Sequence, residues 1–372
     1  MKKTIVLTLV ISSLVCCQAV NKFPRSKIPY NPEKYVCYQT IDEISIDGKM
    51  DESSWSKAKW TNYFVDIEGD LKPKPYYQTR VKMLWDDEYF YFAAKLEEPH
   101  IWAKLTERDA VVFYDNDFEI FIDPDGDTHK YYEFEINAFN TQWDLLITKP
   151  YRDDENVALN GWDIQGLKTA IGIKGTINDP SDEDEYWIIE VAYPWKALSE
   201  MTKSKSPPYD GDQWKVGFSR VQWETEVIDG KYEKKNNPTT GKHYPENNWV
   251  WSPQGLIAMH APETWGLVQF TEINVGDRIV EFNYDNDEDA KWALRNVYYA
   301  QKDYQIKNGK YTNDFGMLDI PDEVNLKNYR WPPELYSTPS QFEAIIKSKD
   351  GKAKITIYQD GLIKVLDKKH DN

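Results

Sequence analysis

The sequence predicts a mainly β protein: an antiparallel β-sandwich of immunoglobulin-like or jelly-roll-like kind, with a small α+β appendage at its C-terminal end. Three observations carry this expectation. Between residues 35 and 273, short runs of alternating apolar and polar residues are broken by turn signals at regular spacing. Residues 115–140, DNDFEIFIDPDGDTHKYYEFEINAFN, read as a complete hairpin whose two faces differ in chemistry. After Ile273 the apolar period changes from two to 3.6, which marks one long helix before a last group of strands.

In chain order, Ile44-Ser45-Ile46 runs into an Asp47-Gly48 turn. Residues 50–55 read as one helical turn, with Trp55 and Ala58 facing inward. Residues 79–84 and 89–96, joined by Asp86-Asp87-Glu88, make a hairpin with Phe90, Phe92, Ala94 and Leu96 on one side. In the hairpin of residues 115–140, Phe118, Ile120 and Ile122 alternate with Asp117, Glu119 and Asp123. On the return arm Tyr132, Phe134, Ile136 and Ala138 alternate with Tyr131, Glu133, Glu135 and Asn137. Strand side chains point to opposite faces in turn, so one face is apolar and the other bears carboxylates, an amide and a phenol. Pro124-Asp125-Gly126-Asp127 supplies the reversal. Residues 186–193, stopped by Pro194, and residues 214–223 and 265–270 are further strands. Residues 150–166, 201–212 and 227–248 are longer polar connections, of the kind that often carries function. In the appendage, residues 274–372, a helix over 286–308 places Ala293, Val297, Ala300 and Tyr304 on one stripe, and Gly309 follows its end. Residues 341–348 and 352–358 form a hairpin, with 362–366 as a last strand.

Residues 1–17 read as a lipoprotein signal peptide. Lys2 and Lys3 precede an apolar run from Ile5 to Val15, too short for a permanent membrane span. It ends in Leu14-Val15-Cys16-Cys17, which resembles a bacterial lipobox and makes Cys17 the expected lipidation site. An ordinary cleaved secretory signal is the alternative. Export is expected either way, and a lipid would place the chain in the bacterial cell envelope, at the outer membrane. Residues 18–34 read as a proline-containing tether. Cys37 is then the one free thiol, so no intrachain disulfide is expected. The formal charge of −17 becomes −19 without Lys2 and Lys3. That balance argues against nucleic acid and anionic lipid as partners, and leaves membrane contact to the N-terminal lipid alone. The 15 Trp and 25 Tyr exceed what a core requires, and such rings offer rigid platforms for the flat C–H faces of sugars.

Five segments together resemble the family 9 carbohydrate-binding modules, in the longer form found in exported proteins of Bacteroidetes. They are IDGKMDESSW (46–55), VKMLWDDEYFYFAAKLEEP (81–99), DNDFEIFIDPDGD (115–127), IIEVAYPWKAL (188–198) and WVWSPQGLIAMHAPETWGLVQF (249–270). The resemblance spans about residues 35–271. It implies a β-sandwich that holds a sugar between two aromatic rings, with structural calcium in some members. By position, Glu119 matches a carboxylate that contacts sugar hydroxyls, and the first stacking ring falls at Phe113 or Tyr114. The second falls near Met259 and His260, where this chain has no stacking aromatic. A basic contact residue falls at Glu135, a reversal of charge. Trp251 and His260 are the residues of the last segment expected to reach the ligand, and Arg220, on the strand of residues 214–223, could offer a fork of donors to it.

The expected partner is an oligo- or polysaccharide, bound without catalysis. A glycoside hydrolase is the enzymatic alternative. Glu133 and Glu135 stand two apart on one strand, roughly 6.5–7 Å between stems, inside the span of an inverting pair. They flank the same side of a ligand, however, and nothing in the surrounding sequence is apolar enough to raise a carboxyl pKa. No catalytic residue is therefore assigned. A structural or assembly lipoprotein that binds envelope proteins is the third reading. Asp123, Asp125 and Asp127 are oxygen donors at spacing two, which suits calcium, although Gly126 and Phe134 break the EF-hand pattern.

Overall fold

The computed structural model describes residues 22–154 and 156–367; Cys17 and the rest of the expected signal peptide lie outside the described residues. The fold is a β-sandwich. One layer runs, in hydrogen-bonded order, Ala158–Leu159, Gln142–Ile147, Tyr131–Asn137, Asp117–Asp123 and Gln213–Gln222. Asn247–Val250 and Val65–Asp66 extend it beside the second half of Gln213–Gln222. The other layer runs Gly266–Asn274, Lys34–Gln39, Thr79–Trp85, Tyr89–Glu97, Tyr186–Pro194 and Lys168–Lys174. The layers join where residues 213–216 pair with 266–269. All these pairings are antiparallel except those of Lys34–Gln39, which lies parallel to both neighbours.

The alternation read from the sequence decides what is inside. Phe118, Ile120, Ile122, Tyr132, Phe134, Ile136 and Ala138 are all buried between the layers, against Phe90, Phe92, Ala94 and Leu96 from the facing hairpin. Trp195 stacks on Phe90 at 5.5 Å, and Trp214 meets Phe270 edge-on at 5.3 Å. Much of the aromatic surplus is thus core. Gly266 shows how tight the fit is, because a Cβ there would come within 2.1 Å of the Trp251 ring. Gly266→Ala is expected to lower stability by about 1–3 kcal/mol through overpacking, read from urea unfolding. A shift under half a kcal/mol would mean that the Trp251 pocket can give.

The helix Asp287–Asn308 buries Ala293, Leu294, Val297, Tyr298 and Ala300 against a four-stranded antiparallel sheet, Glu334–Ser337, Phe342–Lys347, Ala353–Tyr358 and Ile363–Asp367. Gly309 ends it in the left-handed region (φ 72°), its N–H donating to the Gln305 carbonyl at 2.8 Å. This unit is tied to the sandwich by charge. Lys215 reaches Glu288 at 3.0 Å and Lys302 reaches Asp153 at 2.9 Å, while Glu263, paired with Arg152 inside the sandwich at 2.8 Å, accepts the Tyr299 hydroxyl from the helix. The described part of the segment read as a tether lies along this junction. Phe23 meets Tyr298 edge-on at 5.5 Å, Arg25 pairs with Asp303, and Tyr30 stacks on Trp292 at 4.5 Å.

Candidate functional site

On the outer face of the first layer, the polar side of the hairpin forms the floor of an open cleft of about 390 Å³. Glu119 stands opposite Glu135, and Phe121 opposite Glu133, so all four share one face with Ser219 and Val221 of the next strand. The 3-10 turn Val112–Tyr114 brings Phe113 to the rim. Its amide donates to Glu135 Oε2 at 3.0 Å, and the Trp223 indole N–H donates to its carbonyl at 2.8 Å. Trp143, opposite Glu135 on the neighbouring strand, stands with its ring centre 6.5 Å from that of Phe113. The far wall is the loop holding Ile257, Met259 and His260, fixed where the Trp265 indole N–H donates to the Met259 carbonyl at 2.9 Å. Tyr151, Glu246 and Asn248 close the remaining sides.

His260 is set by its neighbours. Its Nδ1 lies 2.9 Å from the Tyr131 hydroxyl, its Nε2 lies 3.7 Å from Glu133 Oε1, and Tyr151 meets its ring edge-on at 4.5 Å. Burial, with the charge of Arg152 behind it, pushes its pKa far below the usual range, so the imidazole is neutral.

The carboxyls of the floor are displaced the other way. Burial, and then the charges of their neighbours, raises Asp117, Glu133 and Glu135 well above the carboxylate range, and burial raises Glu119 to about 7. The local sequence around these acids shows nothing apolar enough to do this, and the fold corrects that expectation. Phe121, Val221, Trp143 and Met259 come from four separate segments and enclose the acids only in the fold. A raised carboxyl pKa contributes stability that is full below the unfolded value near 4.5 and lost as pH rises, through about 7 for Glu119.

Of the residues named from sequence, Phe113, Glu119, Glu135 and His260 meet in this cleft. Tyr114 lies just outside it, exposed, with its ring centre 4.8 Å from that of Phe113. Two others are not there. Trp251 is buried in the core against Phe218, its indole N–H donating to the Val216 carbonyl at 2.9 Å. Arg220 is paired with Glu98 at 2.9 Å on the opposite face of its strand. Both are corrected from ligand contacts to packing residues. Period two was enough to exclude Arg220, because it continues the inward row of Trp214, Val216 and Phe218. Phe121, Trp143 and Tyr151 were missed as cleft residues. Phe121 shares the parity of Glu119, but Trp143 needed a strand that the reading did not recognise.

Asp123, Asp125 and Asp127 do converge, with ligand oxygens within 4.8 Å of one another, which fits the reach of a calcium ion. Each oxygen of Asp123 also accepts a backbone amide, from Gly126 at 3.0 Å and Thr128 at 2.9 Å, so the turn holds its shape through its own bonds.

No protein of curated function gives a match to this chain. Among solved structures, the chain is similar to a Bacteroides uniformis protein whose carbohydrate binding is inferred, at 17% identity and a TM-score of 0.47, over 64% of this chain and 100% of that one. It is also similar to a family 9 carbohydrate-binding module of Caldicellulosiruptor kristjanssonii in complex with cellotriose, at 13% identity and a TM-score of 0.40, over 68% of this chain and 100% of the other. The same kind of module from that organism, in complex with glucose, gives 15% identity and 0.39, over 66% and 100%. These likenesses are distant. The family assignment rests on the sequence itself, where the model of the carbohydrate family 9 binding domain-like family matches residues 46–245. More than half of the chain is covered by that match, and the chain belongs to the carbohydrate family 9 binding domain-like family.

Proposed function

We propose that this protein is an exported, lipid-anchored, non-catalytic glycan-binding protein, and that the cleft between Phe113, Trp143 and His260 holds an oligo- or polysaccharide. The observation that carries the reading is the pairing of aromatic faces with a carboxyl floor in a cleft of about 390 Å³, within the family matched by the sequence. Rings cover the apolar faces of a sugar while acids take up its hydroxyls. Calorimetric titration of the full chain with plant and host glycans is expected to give saturable binding. Trp143→Ala should weaken it about tenfold, since one aromatic platform contributes about 1–1.5 kcal/mol. Flat heats across the whole panel would sink the proposal. Lipid anchoring at Cys17 rests on the sequence pattern alone, and is tested by incorporation of labelled fatty acid that disappears in Cys17→Ala.

Hydrolysis is the second reading, favoured by one observation: a general acid must hold its proton at working pH, and burial displaces the carboxyls of the floor in that direction. Against it, these acids rise from one floor, so none faces a glycosidic bond from the opposite side. Release of reducing ends by the purified chain, lost in Glu133→Gln, would establish it.

A further inference from the structure

The floor of the cleft contains more acid than its surroundings balance. Asp117 is fully buried, and neither of its carboxyl oxygens has a hydrogen-bond partner; only the nearby Val221 amide favours its charged form. Glu119 Oε2 and Glu133 Oε2 are likewise buried and unpartnered. Among the described residues, the one basic side chain within ion-pair distance of these acids is His260, 3.7 Å from Glu133. Buried polar atoms are satisfied in nearly all folded proteins, so several orphaned oxygens at one point call for a missing partner. The β-ladder brings them there, since Glu119 faces Glu135 across the hairpin and Asp117 precedes Glu119 by two residues on the same face.

We infer that Asp117, Glu119 and Glu135 hold a divalent cation of the calcium type at the floor of the cleft. One ligand oxygen from each lies within 4.8 Å of the other two, the span across an ion with bonds of about 2.4 Å. The donors are all carboxylate oxygens, which select hard cations over zinc or copper. A cationic ligand such as an amino sugar fits less well, because Asp117 is fully buried and does not line the cleft, so a sugar ring cannot meet all three carboxyls. Three carboxylates leave coordination positions open on the cleft side. That these positions accept neighbouring hydroxyls of a glycan rests on the function proposed above.

The test is calorimetric titration of the metal-stripped full chain with calcium chloride, beside a thermal unfolding series with and without calcium. One site per chain is expected, with a higher Tm at saturating calcium. Glu119→Gln and Glu135→Gln, both isosteric, should each weaken that site at least tenfold, whereas Asp125→Asn in the neighbouring turn should not. No calcium uptake by the folded chain overturns the site. Uptake lost in Asp125→Asn and kept in both glutamine variants overturns it too, by moving the ion to the turn. Glycan binding that persists unchanged in EDTA overturns the bridging role. Calcium uptake without binding of any glycan would support the ion and remove the glycan reading alone.

Discussion

Arg220→Met is expected to cost about 3–5 kcal/mol of stability, because it strands a buried carboxylate. The guanidinium is 1% exposed and fully engaged: Nη2 donates to Glu98 Oε2 at 2.9 Å, Nη1 to Thr79 Oγ1 at 3.0 Å and Nε to Gln222 Oε1 at 2.9 Å. Trp249 and Tyr77 cover its faces, with ring centres at 5.2 and 5.6 Å. Burial raises the Glu98 pKa, and the charge of Arg220 is the largest influence holding it down. Without the arginine, Glu98 must take a proton or remain an unpaired buried charge. Replacing both members by apolar residues removes that penalty, so Glu98→Met with Arg220→Met should recover most of the loss. Urea titrations of the two single variants and the double form the cycle. Single variants within 1 kcal/mol of wild type would mean that the pair contributes little. Glycan binding by the folded fraction should be unchanged, since Arg220 points away from the cleft.

The junction between sandwich and C-terminal unit should show a strong pH dependence through Glu263. Burial would raise its pKa, but the charges of Arg152 and Arg295, with hydrogen bonds from Arg152 and Tyr299, bring it down to about 2. A carboxyl depressed from its unfolded value near 4.5 contributes stability that is full above that value and lost as pH falls through the folded one. A displacement of this size is worth roughly 3 kcal/mol. The stability gap between wild type and Glu263→Gln is therefore expected to be widest above about pH 4.5 and to close towards pH 2. Chemical unfolding of both proteins across that range measures it, and a gap independent of pH would contradict it. The acids of the cleft floor act with the opposite sign, so the comparison with Glu263→Gln is needed to isolate the junction.

How much the sequence disclosed depended on whether the two faces of a strand differ in chemistry. Both faces of the hairpin Asp117–Asp123 and Tyr131–Asn137 are buried, but acids on one of them keep the alternation, so it named the core residues and the polar face together. Gln142–Ile147 is covered on both sides: Leu146 lies in the main core, while Leu145 and Ile147 pack beneath the cleft with Trp265. Asp144 is buried as well, paired with Arg108. Alternation vanishes in such a strand, and Trp143 was hidden with it. Glu119, Glu135 and Phe113 were placed through the family resemblance, which transfers positions without their surroundings. Burial of the acids arises from segments far apart in the chain, so no local pattern announced it. Trp251 was misplaced for a related reason, since a Trp beside a binding segment looks the same in sequence whether it faces ligand or core.

The docking of Phe23 against Tyr298 has a consequence for where the molecule can stand. If a lipid is carried at Cys17, six residue steps separate that anchor from the first ring packed on the fold. A fully extended chain advances at most ~3.6 Å per residue, so the leash reaches no further than roughly 20 Å. The C-terminal unit, which holds Phe23, would then ride close to the bilayer, and the protein would sample a shallow layer above the membrane instead of roaming on a long stalk. Glycan would have to come to that layer, as loose chain ends do, because the binding cleft could not be cast outward to meet it.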